Sequence, residues 1–107
     1  MLIFNVSHKM ANIYKFRYDK EIPDQNSNSF PLWNWYVKPH VVNRKRYVLF
    51  LERNHYLCVW AFGITAKNLT EVFKQRLEQV LHDAGIPSEK IVKLGIEKQE
   101  SYKQNFR

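Results

Sequence analysis

Cysteine is almost absent from this chain, and its scarcity excludes several kinds of site. Cys58 is the only cysteine in the sequence, so the chain cannot form an internal disulfide, a cysteine-rich zinc site or a CxxC redox pair. Cys58 lies within an apolar run, which favours a buried thiol over a nucleophile. A chain with this cysteine usage fits a reducing compartment, and we expect it to be cytoplasmic.

Long apolar runs are also missing. The opening apolar run at residues 1–6 is too short for a signal peptide and has no small-residue cleavage site after it. The run at residues 56–62 falls far short of the ~20 residues that cross a bilayer. We therefore expect no membrane partner and no export.

Glycine and clustered metal ligands are scarce as well. The three glycines stand far apart, at 63, 85 and 95, and none forms a phosphate-binding loop. The four histidines fall in four different predicted elements and the acids are dispersed. These patterns predict neither a metal site nor a cofactor.

Acidic residues are outnumbered by basic ones. The sequence has 17 Lys and Arg against 10 Asp and Glu, which gives a net charge of +7 and a pI near 9.6. An excess of this size indicates an anionic partner such as nucleic acid or a nucleoprotein.

The apolar content of the chain is sufficient for a single α+β domain over residues 1–107. Hydrophobic residues make up 45% of the chain, which is typical of a globular core. Apolar runs predict strands at 2–6, 33–42, 47–51 and 56–62, and helical spacing predicts a helix at 68–84. We expect a small antiparallel sheet of three or four strands, with one long helix and shorter helices packed on one face.

Capping residues and polar stretches mark the boundaries of these elements. Ser7 is a candidate N-cap for a first short helix, and Pro87 is placed to open another before Gly95. The Asn- and Ser-rich stretch at about 19–31 predicts a mobile loop. The polar residues at about 97–107 predict a frayed tail.

Two features of the strands bear on how the sheet is covered. Pro39 cannot donate to a strand ladder, so its strand is expected at an edge or with a bulge. The runs at 47–51 and 56–62 are apolar without alternation, which indicates cover on both faces. The second face would be covered by the segment of Trp33 and Trp35, or by another copy of the chain in a homodimer.

Aromatic and basic residues, which are suited to binding a partner, are concentrated between positions 33 and 46, where no acidic residue occurs. Arginine suits phosphate because its planar fork donates hydrogen bonds in pairs, and exposed aromatic rings can stack on bases. The candidate binding residues are Trp33, Trp35, Tyr36, Lys38, His40, Arg44, Lys45 and Arg46.

Each part of this segment also has a structural interpretation. The charges would be explained by a solvated hairpin turn that protects a sheet edge from pairing. Trp33 and Trp35 point the same way from a strand and form either a core wedge or an interaction platform, and the core is favoured because large aromatic residues are more often buried.

Short motifs in the chain resemble those of a known type of small protein. They comprise the segment 35–38, the basic run 42–46, two apolar strands with a polar turn between them, and a helix opened by Asn68. The chain resembles an uncharacterised family of small bacterial and mobile-element proteins, a domain-of-unknown-function group with Trp-His-Ala-Asn and Asn/Asp-Arg-Arg-Lys motifs. Tyr36 and Lys38 stand where the family has His and Asn, so this chain lacks those polar groups. The resemblance implies a fold and no settled activity.

Three functional hypotheses follow from the sequence. The preferred one is a non-catalytic protein that binds nucleic acid or a nucleoprotein through the basic, aromatic hairpin surface. The first alternative is a mobile-element inhibitor of a host nucleoprotein or defence nuclease complex, which acts on a protein partner. The second is a toxin-like, metal-independent ribonuclease centred on His40 with nearby cations.

Overall fold

The computed structural model describes residues 1–22, 33–54 and 56–105. Within these residues no helix combines the length and the apolar character needed to cross a membrane. Most of the loop predicted at 19–31 lies outside the described residues. The elements are the strands β1 to β5 and the helices α1 to α3, in the order β1 (Leu2–Val6), α1 (His8–Tyr14), β2 (Asn34–Val42), β3 (Lys45–Glu52), β4 (Cys58–Phe62), α2 (Leu69–Asp83), α3 (Ser88–Lys93) and β5 (Ser101–Asn105).

The strands form one mixed sheet in the order β4-β3-β2-β1-β5. β1 runs parallel to both β2 and β5, whereas β2, β3 and β4 pair antiparallel. The α+β class is confirmed, but the expectation of an antiparallel sheet of three or four strands is wrong. Parallel neighbours need long crossover connections, and here α1 lies between β1 and β2, while α2 and α3 lie between β4 and β5.

The fifth strand comes from the segment that we expected to be a frayed tail. Ser101 to Asn105 pair with β1 along its whole length. On the other side of β5, the backbone N–H of Lys103 donates to the Asp19 carboxylate at 2.6 Å, and the N–H of Asp19 donates to the Lys103 carbonyl at 2.8 Å. A polar sequence suits this position because an edge strand needs little apolar surface. The tail expectation is therefore wrong for the described part of that segment.

The termini of the helices follow the sequence signals closely. The Ser7 hydroxyl accepts a hydrogen bond from the backbone N–H of Met10 at 3.1 Å, which confirms it as the cap of α1. The long helix α2 and the short helix α3 lie where the apolar spacing and Pro87 predicted them. Helix signals are local, so the sequence alone is sufficient to place them.

One buried core fills the side of the sheet that faces the helices, called here the inner face. Phe73 of α2 lies at its centre, with its ring centroid 4.6 Å from that of Phe50, 4.9 Å from Trp35 and 5.1 Å from Phe4. Side chains from all three helices join this cluster, among them Met10, Phe73 and Ile91. The helical layer thus covers one face of the sheet.

Pro39 lies in an interior strand, at a place where that strand has a neighbour on one side. β1 pairs with β2 only from Asn34 to Val37 in the described chain, whereas β3 pairs with β2 as far as Val42. Beyond Val37, β2 is therefore locally an edge, which is where proline is tolerated. The far end of the β2–β3 hairpin extends past the rest of the sheet.

The expectation that β3 and β4 are covered on both faces is wrong for the described chain. Inward residues such as Val48 and Val59 are buried, but outward residues of β3 are half-buried and those of β4 are exposed. The segment of Trp33 and Trp35, which was expected to cover the second face, does not do so, because both indoles belong to the core on the inner face. The two strands thus have one buried side and one accessible side.

Candidate nucleic-acid interface

The outward side of β2, β3 and β4, called here the open face, forms a grid of aligned side chains. Strand pairing arranges the grid in rows that cross the sheet, because residues two apart on a strand share a face. From the middle of the sheet toward the hairpin tip, the rows are Tyr36, Leu51 and Cys58; then Lys38, Leu49 and Trp60; then His40, Tyr47 and Phe62; and finally Val42 and Lys45.

Aromatic rings dominate the β4 side of the open face. The side chain of Trp60 is 44% exposed and that of Phe62 is 74% exposed. The ring of His40 lies edge-on to that of Trp60, with 5.3 Å between centroids, and Tyr47 meets Phe62 in the same way at 6.2 Å. Val42, Tyr47 and Trp60 together line a shallow apolar depression. Each exposed ring is therefore oriented by a neighbour and still accessible.

The predicted basic residues divide between the two sides of the hairpin. Lys38, His40 and Lys45 are exposed at open-face positions, and Arg44 lies in the turn at the tip. Arg46 pairs with Val41, which places its side chain on the opposite side, beside a cavity that Tyr14 also lines. The expectation of a single surface is therefore wrong for Arg46, because alternation along β3 turns neighbouring side chains to opposite faces.

The two tryptophans of the predicted site are not accessible. Trp33 is 5% exposed and Trp35 is 0% exposed, both within the core, so the structure agrees with the core interpretation and neither indole offers contact area to a partner. Tyr36, the next residue, points to the open face and is half-buried. The strand period of two separates Trp35 from Tyr36.

The most accessible aromatic residues of the open face are not among those predicted from the sequence. The accessible rings belong to Tyr47, Trp60 and Phe62, which lie in uniformly apolar runs. No local pattern in such a run shows which alternate side chains face water. A usable signal was the two-residue turn at Asn43 and Arg44, because it fixes the pairing of β2 with β3 and so predicts which side chains share a face.

Asn43 and Arg44 form a tight turn with an unusual backbone. Both residues have positive φ angles, 50° and 66°, between the paired residues Val42 and Lys45. Two consecutive positive φ angles define a type I′ hairpin turn, in which asparagine is favoured first and glycine second. Arginine in the second position is strained, since a side chain in this left-handed region is disfavoured.

Replacing Arg44 with glycine is therefore expected to stabilise the fold. Relief of the left-handed strain exceeds the added freedom of the unfolded chain, for a net gain of about 0.5–1 kcal/mol and a melting temperature a few degrees higher. Thermal unfolding followed by circular dichroism measures the melting temperature. Arg46→Gly, the same change at a regular position of β3, should instead lower the melting temperature. A decrease for Arg44→Gly would show that the Arg44 side chain stabilises the fold.

The open face is bounded on both sides. At the β4 edge, Arg76 of α2 donates from its Nε to the Trp60 carbonyl at 3.0 Å, which occupies a backbone acceptor at that edge. On the other side, Ile3 and Asn5 point outward from β1 but are buried. Asn5 donates to the Asn34 side chain at 2.6 Å and accepts from Gln104 at 2.6 Å. Among the described residues, the exposed outward side chains of the sheet therefore lie on β2, β3 and β4.

Cys58 lies at this open face. Its side chain is exposed, and its Sγ is 3.6 Å from the carbonyl oxygen of Tyr56. The expectation of a buried core thiol is wrong, because Cys58 begins an edge strand and points away from the helices.

Acidic groups are kept away from the open face. None of the outward strand positions in the described residues is occupied by Asp or Glu. Glu52 is buried at an inward position of β3. Glu78 lies on α2, where burial, and after it the charge of Glu97, raises its carboxyl pKa. The open face therefore has cations without local carboxylates among its strand positions.

The described histidines lie in three different elements, and among the described residues no group of side chains is placed to hold a metal ion. His8, His40 and His82 lie in α1, β2 and α2, and no group of three or more His, Cys, Asp or Glu side chains comes together there. A ribonuclease needs a base and an acid near one phosphate. Of these three histidines, only His40 is at the open face.

Comparison with known proteins gives a family without an assigned function. No curated protein and no solved structure matches the chain significantly. One family model, described as "Domain of unknown function (DUF6933)", matches residues 3–101. This range includes the three helices and the strands β1 to β4, apart from Leu2, but only the first residue of β5, and it contains the whole open face. The chain belongs to this family of unknown function, as the resemblance of its motifs indicated.

Proposed function

We propose that this protein is a non-catalytic nucleic-acid-binding protein that uses the open face and the tip of the β2–β3 hairpin. One observation carries the proposal: accessible aromatic rings and cations share one side of a sheet whose other side is covered by helices. The rings offer contact area to bases, and the cations offer contacts to phosphates.

The charge distribution supports a polyanionic ligand. Lys38 and Lys45 lie in different rows of the grid, and Arg44 projects from the tip. Attraction between separate cations and a chain of phosphates is strengthened by the release of counterions from the nucleic acid. None of the outward strand positions in the described residues has a carboxylate that would offset this attraction.

The strained turn gives independent support. Arg44 holds a left-handed backbone conformation that glycine would adopt without strain. Strain of this kind concentrates at functional positions. The residue in the strained position is an arginine, whose side chain pairs well with phosphate. A role in ligand contact explains arginine at this position better than the turn geometry does.

The test is direct binding of a fluorescently labelled 20-nucleotide RNA and a DNA of the same sequence, measured by anisotropy. If Lys38, Arg44 and Lys45 each contact one phosphate, the logarithm of the affinity should fall with the logarithm of salt concentration with a slope of about −2. Affinity should then drop roughly 20-fold between 50 and 200 mM salt. An oligomer with the same bases on an uncharged backbone should bind far more weakly. Salt-independent binding, or none at 50 mM salt, would overturn the proposal.

A protein-directed inhibitor is the second candidate. Large apolar side chains at the rim of the hairpin and near the β3–β4 turn favour it, since Val41 is 68% exposed and Tyr56 is 74% exposed. An exposed tyrosine is typical of the residues that dominate protein interfaces, and an exposed valine adds apolar area beside them. Failure of both nucleic acids in the salt titration would favour this candidate, whose surface needs no phosphate contacts.

A further inference from the structure

We infer that the nucleic acid is single-stranded and that two successive bases occupy the Trp60 and Phe62 positions of the open face. This inference rests on the proposed function and deepens it, because basic residues alone also suit a duplex. The evidence comes from the spacing of the two residues along β4, the orientation of their rings, and the Lys38 and His40 side chains in the same rows of the grid.

The backbone spacing of Trp60 and Phe62 disfavours two bases that are stacked on each other. Trp60 and Phe62 point to the same side from positions two apart on β4, and such positions are roughly 6.5–7 Å apart. Successive nucleotides along one strand of a DNA duplex rise by only about 3.4 Å. Two neighbouring bases that each contact one of these rings must therefore be spread apart, which a single strand permits and a regular duplex does not.

The rings are held in place and remain accessible. Edge-to-face contacts with His40 and Tyr47 set the orientations of Trp60 and Phe62, at interplanar angles of 64° and 63°. Both residues still expose much of their surface, 44% for Trp60 and 74% for Phe62. Rings that are already oriented lose little conformational freedom when a base stacks on them. In a duplex the faces of the bases are hidden by their neighbours, so this contact is open only to an unpaired strand.

The grid also places a basic side chain in each of the two rows. Lys38 shares its row with Trp60, and His40 shares its row with Phe62. Each row thus offers a ring on β4 and a nitrogen-bearing side chain on β2, two strands away. This repeat fits a strand whose phosphates follow β2 while its bases extend across β3 to β4. Lys45 and Arg44 continue the basic side chains toward the hairpin tip.

Tryptophan fluorescence provides a site-specific test. Trp60 is the accessible tryptophan, whereas Trp33 and Trp35 are buried in the core. Titration of the full chain with a 12-nucleotide single strand at 50 mM salt should quench the emission as a base stacks on the Trp60 indole. A blunt duplex of the same sequence should leave the emission unchanged and bind at least about 10-fold more weakly.

Three variants separate stacking from folding. Trp60→Ala should weaken single-strand binding about 10-fold or more, as expected for loss of one base stack. Trp60→Phe retains a stacking ring, so it should bind within about 3-fold of the wild type while losing the quenching response. Val92→Ala, at an exposed position of α3, should change neither readout. The melting temperature of each variant is measured alongside, and Trp60→Phe carries the test if Trp60→Ala fails to fold.

The outcomes distinguish this inference from the proposed function. Equal, salt-sensitive binding of single strand and duplex without quenching would overturn the single-strand inference and leave nucleic-acid binding intact. Unchanged single-strand affinity in a folded Trp60→Ala variant would also overturn it. Absence of salt-sensitive binding to any nucleic acid would overturn both. Quenching by the single strand alone, lost in Trp60→Phe, supports the inference.

Discussion

Replacing Phe73 with alanine is expected to destabilise the protein by about 3–5 kcal/mol, because it leaves a cavity at the centre of the core. Phe73 is fully buried, and its ring contacts those of Phe4, Trp35 and Phe50, which belong to three different strands. Chemical denaturation gives the free energy of unfolding, and the melting temperature should fall by roughly 10–20 °C.

Phe62→Ala is the matched control for this prediction. It removes the same atoms from a phenylalanine that is 74% exposed on β4, where truncation should cost less than about 1 kcal/mol. Similar losses for the two variants would show that the open face is covered in solution, by a second copy or by another part of the chain. A small loss for Phe73→Ala would contradict the central place of its ring in the core.

Reversing two charges on the open face should have the largest effect on binding. The double variant Lys38→Glu, Lys45→Glu places carboxylates in two rows of the grid, where they repel phosphates instead of attracting them. We expect a loss of affinity on the order of 100-fold at 100 mM salt, together with a shallower dependence on salt. Anisotropy titrations with the labelled 20-nucleotide RNA measure both quantities.

The control variant changes the net charge equally at another place. Lys90→Glu, Lys93→Glu lies on α3, in the helical layer, where both lysines are exposed. If the open face binds the ligand, this control should lose only the smaller, long-range part of the attraction, within about 5-fold at 100 mM salt. Equal losses for the two double variants would mean that the net charge, and not the open face, governs binding.

Part of the candidate site could be predicted from the sequence. The basic run identified the hairpin, and alternation along the strand predicted at 33–42 places Lys38 and His40 on one side. The same alternation would have separated Lys45 from Arg46. The accessible rings of Trp60 and Phe62 were not predicted, because an apolar run of seven residues fits burial on one face as well as on two.

The errors in the fold have one physical origin. β5 has a polar sequence and joins the sheet through backbone hydrogen bonds with β1, 95 or more positions away in the chain. Backbone groups are the same in every residue except proline, so the residue types in 101–105 do not indicate such a partner. The mixed sheet and its fifth strand depend on that distant pairing.

The sequence by itself determined the helices, the Ser7 cap, the hairpin and the excess of positive charge, because each depends on residues close together in the chain or on composition alone. Only the tertiary structure decided which tryptophans are buried, which face of the sheet the helices cover and which cations share a surface. These properties depend on strand order and on the side of the sheet where the crossover helices pack. Both are set by contacts between distant residues, which local side-chain patterns do not specify.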